Sequence, residues 1–122
     1  MTELASTMTP REVAGQAAHA ISVLSELTTS GGELTSPLDV RDIVSSLELI
    51  GTSVPQLCEQ LARFLVVQHE DGRLKHDSDL DLDDTVTEVI EALAAAGQAA
   101  DMMSAALGEA RTASVVLRPA KK

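Results

Sequence analysis

Residues 82–117 read LDDTVTEVIEALAAAGQAADMMSAALGEARTASVVL, and their spacing decides the fold class. Leu82, Val86, Val89, Leu93, Ala96, Ala100, Met103, Leu107, Ala110, Ser114 and Leu117 follow one another in alternating steps of four and three. That is the repeat of a coiled-coil seam, which keeps one stripe of an α-helix turned towards a partner. A second row, Ala95, Ala99, Met102, Ala106 and Ala113, adjoins the first. The apolar arc is therefore broad, and the helix is expected to touch more than one neighbour. Unbroken, it is roughly 50 Å long. Gly97 and Gly108 lie inside it, each costing about 1 kcal/mol relative to Ala, a cost that a closely packed second helix would offset.

Upstream, three further helix starts carry capping chemistry. Thr9-Pro10-Arg11-Glu12 sets a Thr cap, Pro at the first helical position, and Glu where it reaches back to the cap amide. Ser36-Pro37-Leu38-Asp39 repeats the device with a shorter acid, and Ser53-Val54-Pro55-Gln56 repeats it with Gln. The spacing predicts a first helix over 10–28, with Val13, Ala17, Ile21, Leu24 and Leu27 on one face and a stop at Thr29-Ser30-Gly31-Gly32. It predicts a second over 37–50, burying Val40, Ile43, Val44, Leu47 and Ile50 and closed by a left-handed Gly51. A third runs over 54–70, burying Leu57, Leu61, Phe64 and Leu65, with Gly72 at its end. The second and third form either a tight hairpin or one kinked rod. A β-hairpin over Phe64–Val67, Asp71-Gly72 and Leu74 is the competing reading. It loses because Leu57, Leu61 and Leu65 keep helical period and the following stretch is highly charged. The expectation is an all-α bundle of about four helices, with the long Ala-rich helix last. Residues 1–122 form one domain, 1–8 a disordered lead and 118–122 a basic tail. Small residues at 14–18 and 106–113 are expected to bring the first and last helices into close antiparallel contact.

Composition narrows function by exclusion. The chain has 122 residues and a formal net charge of −10, which repels nucleic acid and anionic membranes. Phe64 is the one aromatic residue, so there is no stacking platform for bases and no aromatic cage for a cation. Cys58 is the one cysteine, which excludes an internal disulfide and fits a reducing cytoplasm. Met1–Met8 has neither the basic flank nor the apolar run of a signal peptide. Absent Asn, scarce Lys and Ile and abundant Ala suggest a GC-rich bacterial genome.

Candidate chemistry gathers in one segment. Asp77, Asp79, Asp81 and Glu88 stand at the first, third, fifth and twelfth positions of a stretch that resembles an EF-hand calcium loop. Leu82 replaces the glycine of that loop's sixth position, and Asp84 stands where an apolar residue belongs. Carboxylates around a helix start are equally accounted for by the helix dipole. His69, Glu70 and His76 add possible ligands but match no compact zinc spacing. His19 falls opposite the first helix's apolar stripe, Cys58 has no His at helical spacing, and Met102-Met103 reads as core filling. No phosphate-binding glycine loop, nucleophile elbow or dinucleotide fingerprint occurs. From Glu70 to Glu91 nine acidic and two basic residues give −7, while Arg111, Arg118, Lys121 and Lys122 follow the last acid. An acidic start and basic end suit antiparallel self-association. The expectation is a non-catalytic interaction or assembly protein without a cofactor, partnered by itself as a homodimer or by another protein. A divalent-metal protein using 77–88 is the alternative, and an acidic nucleic-acid mimic a weaker one.

Overall fold

The computed structural model describes residues 7–29, 34–78 and 81–120. Among them the chain is all-helical, with three helices and no strand: α1, Pro10–Thr28; α2, Pro37–Glu70; and α3, Leu82–Ser114. At the start of α1, the Thr9 hydroxyl accepts from the Glu12 amide at 3.2 Å, and the Glu12 carboxylate accepts from the Thr9 amide at 3.0 Å, a complete capping box. At the start of α2, the Ser36 hydroxyl accepts from the Leu38 amide at 3.1 Å. The Asp39 carboxylate passes over that cap and takes both the amide and the hydroxyl of Thr35, at 2.8 and 2.9 Å. Gly72, at φ 71°, gives the left-handed turn that ends α2. The Asp81 carboxylate caps α3 by accepting from the Asp83 amide at 2.9 Å.

The expected second and third helices are one helix, so among the described residues three helices stand where four were expected. Gly51 does not terminate anything, since its φ is not positive. Ser53 does not cap, because its hydroxyl donates inside the helix to the Leu49 carbonyl at 3.0 Å. Pro55 sits in the interior of α2. The reason lies in α3, which runs antiparallel beside α2 over its whole length. A side chain at Gly51 would lie 3.1 Å from both Met103 and Ser104, and one at Gly97 would lie 3.4 Å from the Pro55 Cα. The two helices thus pack closely at the glycine and proline that the sequence offers as a break. The close cover that Gly97 and Gly108 need is supplied by Pro55 and by the Glu48 carboxylate, respectively.

The contact of α1 with the end of α3 is also corrected. Arg11 to Ser22 are all exposed, Ala14, Ala17 and Ala18 among them, and a side chain at Gly15 would meet nothing within 4 Å. α1 instead approaches α2 near its C-terminal end, where Ile21 and Leu24 share a shallow groove with Ile43, Leu47 and Ile50. The described residues form a long α2–α3 hairpin with a short helix at one edge of it.

Candidate functional site

The seam of the hairpin is a heptad pattern on both sides. On α2 it runs through Val44, Glu48, Gly51, Pro55, Cys58, Ala62, Leu65 and His69. On α3 it runs through Val86, Ile90, Leu93, Gly97, Ala100, Ser104, Leu107 and Arg111. None of these is more than half exposed, and Gly51, Cys58, Val86, Gly97 and Ala100 are buried. Polar pairs hold its two ends. Arg111 donates to Glu48 through Nε at 2.6 Å and Nη2 at 3.4 Å, which holds the Glu48 carboxyl below its ordinary range and the guanidinium above its own. His69 Nε2 and Asp83 Oδ1 meet at 2.6 Å across the other end. Between them, the Ser104 hydroxyl donates to the Glu48 carbonyl at 3.1 Å and lies 2.9 Å from the Thr52 hydroxyl.

Of the eleven expected α3 seam positions, Val86, Leu93, Ala100 and Leu107 belong here. Val89, Ala96, Met103 and Ala110 do not. Val89 and Met103 are exposed at 39% and 44%, and Ala96 and Ala110 are exposed too. The seam takes the next residue along in each heptad: Ile90, Gly97, Ser104 and Arg111. A row of two polar residues, a glycine and an isoleucine is hard to recognise as a seam, yet it allows the close approach and carries the ion pair. The displaced row is half-buried at Leu82 and Thr85 and then open and apolar: Val89, Ala92, Ala96, Ala99, Met103, Ala106, Ala110 and Ala113.

α2 has the same displaced row. Val40, Ile43, Leu47, Ile50, Val54, Leu57, Leu61 and Phe64 alternate in steps of three and four, each one residue before a seam position. Ile50, Leu57, Leu61 and Phe64 are 44–61% exposed. In an antiparallel pair of right-handed helices, stepping one residue back from the seam turns both helices towards the same side of the hairpin. Stepping one residue forward turns both towards the other side. There Glu59 on α2 and Ala94, Gln98 and Asp101 on α3 line one common groove. That side carries Glu59, Gln98 and Asp101 on the rims of its groove, with Leu49 exposed further along; the opposite side carries the long apolar rows of both helices.

The residues singled out for metal chemistry are placed as follows. Asp77, Asp81 and Glu88 are exposed, and Asp79 lies outside the described residues. Asp81 is engaged as the α3 cap, while Glu88 lies on α3 itself, in its second turn. Among the described residues no three His, Cys, Asp or Glu side chains converge on a point where they could hold an ion. His76 Nδ1 accepts from the Ser78 amide at 3.0 Å. His19 is exposed on α1, and Cys58 is buried in the seam against Gly97. Met102 is exposed at 74% and fills no core. Compared with protein-family models, with curated proteins and with solved structures, the chain matches none.

Proposed function

We propose that this chain is a non-catalytic assembly protein that works by pairing its apolar helical face with other helices, beginning with its own kind. The observation that supports this reading is the open double row on α2 and α3. Leu57, Leu61 and Phe64 sit beside Val89, Ala92 and Ala96 at the end of the hairpin that α1 does not reach. A contiguous patch of this kind on a small protein marks an interaction surface. The polar groups support a structural use: the Glu48–Arg111 and His69–Asp83 pairs tie the hairpin ends, and Asp81 caps a helix. With one cysteine and that one buried in the seam, the natural setting is the reducing cytoplasm.

Sedimentation equilibrium at tens of micromolar tests the reading. The expected mass is a multiple of 12.8 kDa, and Leu61→Glu is expected to shift it towards the single chain. A mass of 12.8 kDa across that range would overturn self-assembly.

A further inference from the structure

Resting on that reading, we propose that the occupant of the open face is a second copy of the chain lying antiparallel across it, so that two α2–α3 hairpins close a four-helix bundle about a two-fold axis at the level of Pro55 and Gly97. Four observations converge on this arrangement. The first is area. Two helices 8–10 Å apart and about 50 Å long present a face on the order of 800 Å², which is what a standard-size interface takes from each partner. α1, at 19 residues, is only about 28 Å long, and it sits at the outer edge of α2 on Ile43, Leu47 and Ile50. It therefore leaves most of the face to another chain.

The second observation is shape. Full overlap of two antiparallel hairpins puts the axis midway along both helices. That is where a side chain on Gly97 would touch the Pro55 Cα at 3.4 Å. About this level the α3 row is self-complementary: Leu82 falls opposite Ala113 of the second copy, Val89 opposite its Ala106, and Met103 opposite its Ala92. Each bulky side chain meets an alanine, so the two α3 helices can approach closely. On α2 the same axis sets Val54 opposite Leu57 of the second copy, while Leu61 and Phe64 meet the end of the second copy's α2 that carries α1 on Ile43, Leu47 and Ile50. Bulky residues meet there, and the two α2 helices stand at the wide end of the packing range.

The third is charge. Residues from Glu70 to Glu91 carry a net −7, and those after Glu109 carry four positive charges and no negative one. A parallel pairing sets two acidic ends side by side, where they repel. The antiparallel pairing separates the two acidic clusters and sets each against an end where Arg111 and Arg118 offset Asp39, Asp42, Glu48 and Glu109. The fourth is the sidedness itself. The opposite side of the hairpin sets Glu59, Gln98 and Asp101 along its groove and Leu49 among polar neighbours, so the unbroken apolar row lies on one side, and pairing through that side closes two copies on each other.

The test uses the full chain with Cys58→Ser and a spin label on Lys75→Cys, an exposed position in the α2–α3 connection. Mass is read by sedimentation equilibrium and the label-to-label distance by pulsed dipolar spectroscopy. The proposal expects twice 12.8 kDa and a distance above about 45 Å, because the labels stand at opposite ends of a bundle of helices rising 1.5 Å per residue. A dimer with a distance below about 30 Å, roughly the width of such a bundle, overturns the antiparallel arrangement and leaves self-assembly standing. A mass of 12.8 kDa overturns both. Ala99→Glu, beside the axis, is expected to raise the dissociation constant at least about 100-fold, while Ala94→Glu, in the groove on the opposite side, leaves it within about two-fold. Equal dissociation constants for the two variants overturn the proposed face.

Discussion

Gly97 and Gly51 occupy equivalent positions on facing helices, yet their surroundings differ by a few tenths of an ångström, and that difference decides what a methyl group does. At Gly97 the added carbon lies 3.4 Å from the Pro55 Cα and 3.8 Å from its Cβ, which is ordinary contact. Gly97→Ala is therefore expected to recover most of the helix-propensity difference, up to about 1 kcal/mol, and to raise Tm by several degrees. At Gly51 the carbon lies 3.1 Å from the Met103 methyl and from the Ser104 Cβ. The methionine tip can swing away, but the serine carbon is fixed to α3. Gly51→Ala should melt below Gly97→Ala in parallel thermal scans, and the reverse order would show that α3 yields more easily than its neighbours allow. The Glu48–Arg111 pair makes a pH prediction at the same scale. Its hydrogen bonds hold Glu48 below its ordinary value of 4.5. The stability it adds is thus present above that value and lost as pH falls through the lowered folded one. Protonating the exposed acidic segment relieves repulsion over a similar range, so the comparison must be with a variant. Between pH 6 and pH 3, roughly spanning that window, wild type is expected to lose more Tm than Glu48→Gln. Parallel profiles would assign the loss to other carboxylates.

α2 shows how an element can contradict its own punctuation. Pro55 has no amide to donate to the Gly51 carbonyl, and a proline in a helix interior costs about 3 kcal/mol. The helix continues because α3 supports both flanks, through Ser104 bonded to the Glu48 carbonyl and through Gly97 packed on the Pro55 ring. Pro55→Ala is expected to raise Tm, by less than that cost since the ring contact is lost. A lower Tm would mean that the ring contributes more to the seam than its missing bond removes. The row Val40, Ile43, Leu47, Ile50, Val54, Leu57, Leu61, Phe64 crosses Gly51 and Pro55 without a slip. That continuity was the available signal for one helix, and local turn chemistry outweighs it only when nothing packs alongside. Helix type and three of the four expected starts were legible for the opposite reason: Thr9, Ser36 and Asp81 satisfy amides within their own first turns, and local bonds can be read locally. The seam was partly legible. Val86, Leu93, Ala100 and Leu107 were placed correctly, but hydrophobicity ranked Val89 and Met103 above Gly97 and Ser104. Close approach selects for small residues, so the most apolar row faces outward. The open face follows from that ranking error, and no spacing rule applied to one helix reveals it, because it depends on which side of the pair each row turns to.

At the scale of the molecule, the balance of surfaces points the same way as the rows. The chain exposes 9482 Å², whereas a compact monomer of its mass exposes about 6,300 Å². Granting the residues outside the described set the full exposure of unfolded chain, about 2,100 Å², still leaves a surplus on the order of 1,000 Å² or more. The buried hydrophobic residues among those described are Cys58, Val86 and Ala100, each at 8% exposure, and no large side chain is fully buried. Ordering a residue's backbone costs roughly 1–2 kcal/mol, and apolar burial is the main term that offsets it. A hairpin whose Leu57, Leu61 and Phe64 are about half in water is poorly provided for alone. On the proposed pairing, folding and association are one event, because the rows that complete the core are those of the proposed interface. Anything that binds the folded state alone stabilises it by mass action, and here the ligand is the chain itself. The expected outcome is a melting temperature that climbs steadily with protein concentration from about 1 to 100 µM, a range that changes the mass-action contribution by about 2.7 kcal/mol. Helical circular dichroism should fall together with sedimenting mass on dilution. A melting temperature independent of concentration, with mass and helicity changing at different dilutions, would show that the hairpin is stable as a single chain and that its open face is filled after folding.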